Sequence, residues 1–208
     1  MSDYLTDEEQ MTRLRNWWEQ NGSALLVGVV LVVVGVVGWR WYQTSVEERI
    51  ANGSDLYGQW LEAKGEARQR LGELIDEEAA GTAYPTFVLF HQARDAVESG
   101  DLSKAESDLQ AAVTAAPGQE IADLARLRLA RVLFELDRGS EALDALRQIR
   151  GEGYRALAAE LQGDIHLADG DRESAHEAYT SALSQAEDGS QRPLLEVKVA
   201  DTADAASS

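Results

Sequence analysis

From Gln20 to Trp39 the chain carries no charged side chain, and most of that interval reads "GSALLVGVVLVVVGVVGW". Wound as a helix at about 1.5 Å per residue, it spans about 30 Å, the thickness of the hydrocarbon core of a bilayer. The many valines would favour a strand in water. In lipid, however, a lone strand leaves its amides unpaired, whereas a helix pairs them within the segment. A cleaved secretory signal has a shorter apolar region with a small-x-small site close behind it. Here the run ends in Trp39-Arg40-Trp41-Tyr42, the pattern of interfacial aromatics beside a snorkelling arginine. The sequence therefore predicts one transmembrane signal-anchor helix over residues 22–42. Ala24, Gly28, Leu31, Gly35 and Gly38 follow steps of three and four, so they share a helix face on which a second transmembrane helix can approach closely.

Ahead of the span, "TDEEQMTRLRNWWEQNG" predicts a short amphipathic helix lying along the membrane surface within a tail of residues 1–21. Thr6 is its candidate N-cap, with Glu9 three residues on, and Met11, Leu14, Trp17 and Trp18 share a face. Arg13 and Arg15 before the span are matched by Arg40 and Arg49 after it, so positive charge does not orient the helix. A short leading tail and a long trailing domain favour a cytoplasmic N-terminus, because long domains translocate largely regardless of charge.

The whole chain has 37 acids against 19 bases. Five of those acids and three of those bases precede Gln43, which leaves 32 acids and 16 bases beyond the span. Such a field repels phosphate backbones, so nucleic acid is excluded as a partner. With no cysteine, the chain has no disulfide, no thiolate metal site and no cysteine nucleophile, and it suits an oxidising compartment. About 165 residues remain after the span, enough for one domain core.

Within them a spacing recurs. Ala93, Ala105 and Leu109 form one set, Ala130, Ala142 and Leu146 a second, Gly163, Ala175 and Tyr179 a third; each has the same internal steps of twelve and four. A turn signal falls between the first two members every time: "SGD" at Ser99 to Asp101, "DRGS" at Asp137 to Ser140, and "DGDR" at Asp169 to Arg172. The pattern reads as helix, tight turn, helix, with small residues where the two helices touch. The second members lie 37 and then 33 residues apart, near the 34-residue period of tetratricopeptide repeats. Pro117 falls where such a repeat often ends its second helix, and the other two repeats lack it. The fold class is therefore all-α: one transmembrane helix, a membrane-proximal helical pair over residues 43–80, and a tetratricopeptide-like domain over residues 81–200. Of that pair, Val46 to Ala63 and Glu66 to Glu78 are the expected helices, and Leu56, Tyr57, Trp60 and Leu61 give the first a bulky face to set against the first repeat. Further on, Pro193 is expected to break the helix; Leu195, Val197 and Val199 alternate as in a strand, although a short helix also fits. Residues 201–208 are expected to be a disordered tail.

No catalytic set emerges. His91, His166 and His176 are scattered over separate expected helices, and no phosphate loop, nucleophile elbow or zinc signature is present, so neither an enzyme nor a cofactor is expected.

Several stretches together resemble the YfgM family, ancillary subunits of the bacterial SecYEG translocon: "QNGSALLVGV" entering the span, "GWRWY" leaving it, "LRLARV" at Leu127 to Val132, "IRGEGY" at Ile149 to Tyr154, and "ELQGDIHLADGDRESAHEAY" at Glu160 to Tyr179. They occur in the family's order over nearly the whole chain. The resemblance implies an inner-membrane protein with a cytoplasmic N-terminus and periplasmic repeats. Its implied partners are SecYEG and the PpiD chaperone, and its implied task is helping newly translocated proteins reach periplasmic chaperones. A second implied role is restraint of a stress-response regulator by the cytoplasmic tail, from whose usual pattern this chain departs in its acidic start and paired Trp17 and Trp18.

In tetratricopeptide arrays the first helix of each repeat lines the inner groove. The aligned positions are Phe87, Phe90, Arg94 and Val97 in the first repeat, Leu124, Leu127, Arg131 and Phe134 in the second, and Leu157, Glu160, Asp164 and Leu167 in the third. Most are apolar, which predicts a surface for extended apolar segments of unfolded proteins, with Arg94 and Arg131 adding hydrogen bonds. The alternative is structural: Leu194, Leu195, Val197 and Val199 fold back over these residues, or the residues are core between repeats.

Overall fold

The computed structural model describes residues 7–186 and 192–203, and those residues form α-helices and connecting turns with no strand. The chain divides into two compact units, Met1–Ile50 and Ala51–Ser208.

The first unit is carried by α1, which runs without interruption from Asp7 to Glu62. Two expectations change here. Residues 7–21 do not form a separate surface helix, and Val46 to Glu62 is the end of the same α1 rather than a new element. Asn21 and Gly22 are poor helix formers, but the Asn21 amide donates to the Trp17 carbonyl at 3.0 Å, and the Trp18 indole lies over Gly22, 3.1 Å from where a β-carbon would sit. These local contacts carry the helix through the expected break. Thr6, the expected cap, lies outside the described residues. Between Leu25 and Val37 the large apolar side chains are exposed. Trp18 and Trp39, at the two ends, are about 32 Å apart along the helix axis, so the apolar stretch between aromatic ends matches a bilayer.

The second unit is built from antiparallel pairs. Helix α2 is Gly65–Glu78, α3 Tyr84–Ser99, α4 Leu102–Ala115, α5 Gln119–Glu135, α6 Gly139–Arg147, α7 Glu152–Ala168, α8 Arg172–Gln185 and α9 Arg192–Thr202. The three repeats are α3 with α4, α5 with α6, and α7 with α8. The recurring small residues sit at their contacts: Ala105, Ala130, Ala142 and Ala175 are fully buried and Ala93 nearly so. Gly163 is the extreme case, since a β-carbon there would lie 2.4 Å from the Tyr179 ring.

Each first helix ends alike. Gly100 donates to Val97 and Asp101 to Ala96; Asp137 donates to Phe134 and Arg138 to Leu133; Gly170 donates to Leu167 and Asp171 to His166. This paired closure needs a left-handed residue, and Gly100 and Gly170 supply it at φ 80° while Asp137 is held there at 57°. Asp101 and Asp171 then cap α4 and α8, accepting from the Lys104 and Ser174 amides at 3.0 Å. In the middle repeat Arg138 takes that place. It cannot cap, and instead pairs at 2.6 Å with both Glu141 and Glu106, joining α6 to α4.

Where Pro117 follows α4, the exit from α6 is held by a buried carboxylate. Asp123 on α5 accepts from the Arg150 and Gly151 amides at 3.1 and 2.7 Å, and from Gln119 and Arg126 at 2.7 and 2.9 Å. Burial pushes its carboxyl up, but the two backbone amides with Gln119 and Arg126 outweigh that and hold it below the ordinary aspartate value.

Around the first repeat, Leu56, Tyr57 and Trp60 pack with Ile75, Ala79, Tyr84 and Val88, as their spacing predicts. Leu61, expected on that face, is half exposed. At the other end the ambiguous segment is helical: α9 begins at Arg192 with Pro193 in its first turn, where a proline's missing N–H costs nothing. Leu195 and Thr202 are buried and Lys198 and Val199 half-buried, whereas Leu194 and Val197 are exposed. The inward residues thus follow helical steps rather than the alternation of a strand. Leu195 inserts between Ala159 of α7 and Ala182 of α8.

Candidate functional site

The first two repeats form an open cleft of about 460 Å³. Helix α3 contributes Phe90, His91, Ala93, Arg94 and Val97, α4 contributes Leu102 and Leu109, and α5 contributes Arg128, Arg131, Val132 and Glu135. Ala93, Leu109, Val132 and Phe90 form a floor continuous with the core of this repeat pair. Val97 stands at the edge with 45 % of its surface exposed.

The charges at this cleft are unevenly satisfied. Arg94 pairs on its own helix with Asp95 at 3.2 Å and Glu98 at 3.4 Å. The Arg128 guanidinium lies 4.3 Å over the Phe90 ring, a cation–π contact made on its apolar side. Burial, then the neighbouring Arg131, pushes the Arg128 guanidinium below its ordinary value. Burial, followed by Arg94 and Arg68, lowers His91 and so keeps it neutral near pH 7.

Four of the groove residues expected from the sequence meet in this cleft: Phe90, Arg94, Val97 and Arg131. Phe87 and Leu124 pack against the core below it. Leu127 is buried in the next core cluster, with Phe134 and Leu157 against it. Glu160 and Asp164 instead receive Lys198 of α9, at 2.8 and 2.7 Å, and Asp164 also accepts from the Tyr179 hydroxyl at 2.8 Å. Leu167 is partly exposed at the end of α7. The structure therefore does not join the three rows into one open groove. Arg128 is absent from the sequence expectation because the aligned positions in that stretch of α5 are Leu127 and Arg131; the Arg128 side chain between them turns to Phe90 of α3.

A larger cavity of about 790 Å³ lies among Trp60, α2, α3 and α4. Its cations are already matched: Arg68 sits 4.0 Å over Trp60 and pairs with Asp95 at 3.4 Å, and Lys104 pairs with Asp108 at 2.8 Å. In the smaller cleft, by contrast, the cations Arg128 and Arg131 have no ion-pair partner among the described residues. On α1, Gly28, Gly35 and Gly38 have no neighbouring atom within 4 Å of a β-carbon position, and Leu31 is exposed; their face, with Ala24, is open.

Among the described residues no three His, Cys, Asp or Glu side chains are gathered to hold a metal. His176 contacts the Val199 carbonyl and Thr202 hydroxyl at 3.2 and 3.1 Å, which fixes α9.

Fold and site together define a helical-repeat protein with, among the described residues, one N-terminal helix long and apolar enough to cross a membrane. The family model for the tetratricopeptide repeat-like domain matches residues 15–204. Among curated proteins, the ancillary SecYEG translocon subunit of Haemophilus influenzae is 33% identical over 185 residues, covering 88% of this chain and 91% of that protein. The proteins of the same name from Aggregatibacter actinomycetemcomitans and Escherichia coli are 29% and 26% identical, covering 89% and 96% of this chain and 93% and 98% of theirs. The chain belongs to this tetratricopeptide repeat-like family and, with those relatives, to the YfgM family of ancillary SecYEG translocon subunits. No solved structure matches it.

Proposed function

We propose that this chain is a non-enzymatic accessory of the SecYEG translocon, held in the inner membrane by residues 22–42 with its N-terminus in the cytoplasm and its repeats in the periplasm. The repeats bind newly translocated, still unfolded segments and pass them toward a PpiD-like periplasmic chaperone. The observation that carries this reading is the cleft between α3 and α5, with its apolar floor and an exposed Val97 at its edge. An apolar cleft of this kind, tethered beside a translocation pore, meets extended chains before they bury their own apolar side chains. Its relatives' names supply the pore.

The test is photocrosslinking in intact membranes during export, with the reactive residue at Val97 or, as a control, at the exposed Ser140. Val97 is expected to capture secretory chains and the chaperone well above Ser140. Equal yields from the two positions would reject the cleft as the contact site.

A further inference from the structure

Resting on that reading of the cleft, we infer that it selects among unfolded segments by charge, preferring an apolar side chain flanked by a carboxylate, and that Arg128 and Arg131 form the anion-binding element. Arg94 is unsuited to that role because Asp95 and Glu98 already neutralise it. Among the described residues, neither Arg128 nor Arg131 donates a hydrogen bond or forms an ion pair. The acid of the cleft lining, Glu135, does not come within ion-pairing distance of either. Two guanidinium groups that disfavour one another are thus held beside an apolar floor, in a chain whose net charge is −18. A carboxylate placed between them would relieve their repulsion and accept from both, and the partial burial of Arg128, beside an exposed Arg131, raises the value of its charge-assisted bond. Phe90 beneath Arg128 fixes where that carboxylate sits relative to the apolar floor. The distant acids of the domain do not cancel this effect at physiological salt, where screening acts over about 8 Å.

The experiment uses the full chain in lipid nanodiscs at physiological salt and three fluorescent peptides sharing one leucine- and phenylalanine-rich centre, flanked by Glu, Gln or Lys. Binding is read by anisotropy, and helical signal and melting temperature are recorded for every variant. The Glu-flanked peptide is expected to bind about tenfold more tightly than the Gln-flanked one, equivalent to roughly 1.4 kcal/mol. Arg128→Gln with Arg131→Gln should abolish that preference, bringing the Glu- and Gln-peptide affinities together, while Arg94→Gln should preserve it. Equal binding of the Glu and Gln peptides, or a preference that survives the double substitution, overturns the inference but leaves the apolar cleft standing. Failure of all three peptides to bind rejects both. A self-association abolished by the double substitution would mark a second copy as the occupant and also overturn it. If the double variant melts early, Arg128→Lys with Arg131→Lys must retain the preference.

Discussion

At the scale of single residues, the three helix closures give an internal comparison. Asp137 occupies the left-handed position that Gly100 and Gly170 fill elsewhere, and a side chain there costs about 1 kcal/mol. Asp137→Gly is therefore expected to raise the melting temperature by a few degrees, as measured by circular dichroism. Asp123 acts in the opposite sense. Asp123→Ala strands two amides and a partly buried arginine, and is expected to cost about 3 kcal/mol. Because its folded pKa lies below the unfolded value, the stability it provides is fully present above a pH of about 4 and fades as pH falls through the folded value. The gap between wild type and Asp123→Asn in denaturant titrations should therefore narrow only on the acid side. The small residues of the repeats were legible in the sequence because a fixed spacing recurs three times. Asp123 was not, since nothing local marks an aspartate that will close a loop 27 residues away.

Helix α9 shows where an element escapes a sequence reading. "LLEVKVAD" satisfies a period of two and a helical period equally well, and Ala159, Ala182 and the pair Glu160 and Asp164 decide between them by receiving Leu195 and Lys198. Burial lowers the Lys198 ammonium, but its bonds to Asp164 and Glu160 outweigh this and raise it. Its contribution is thus complete below the ordinary lysine pKa and is lost only as pH rises through the folded value. Lys198→Met is expected to cost about 1 kcal/mol and to speed hydrogen exchange in α9 while leaving α5 unchanged. The continuity of α1 was equally hidden: propensity at Asn21 and Gly22 argues for a break, and Trp17 and Trp18 supply the contacts that prevent one. On the same helix, changing Gly28 and Gly35 together to Leu should reduce co-purification with membrane partners without impairing insertion. Unchanged recovery would remove that face as a packing site.

Across the whole molecule, the span and the repeats were readable because each rests on a long-range regularity of sequence, whereas the cleft depends on which face of α5 turns toward α3. Groove positions chosen by alignment alone therefore included core residues such as Leu127 and missed Arg128. The N-terminal tail offers a separate prediction: deleting residues 2–15 should leave recovery of translocon partners intact if the repeats and span make those contacts, and loss of recovery would move the interaction to the tail. Phe90 is too buried for a charge substitution to report on binding alone; Val97 is not. The measurement to make is the yield of newly exported chains crosslinked to full-length protein in membranes, for wild type, Val97→Asp, and Leu74→Asp as an equally polar change at a partly exposed site outside the cleft. With melting temperatures unchanged, we expect Val97→Asp to lose most of that yield and Leu74→Asp to retain it. Full yield from a folded Val97→Asp would contradict client binding in the cleft.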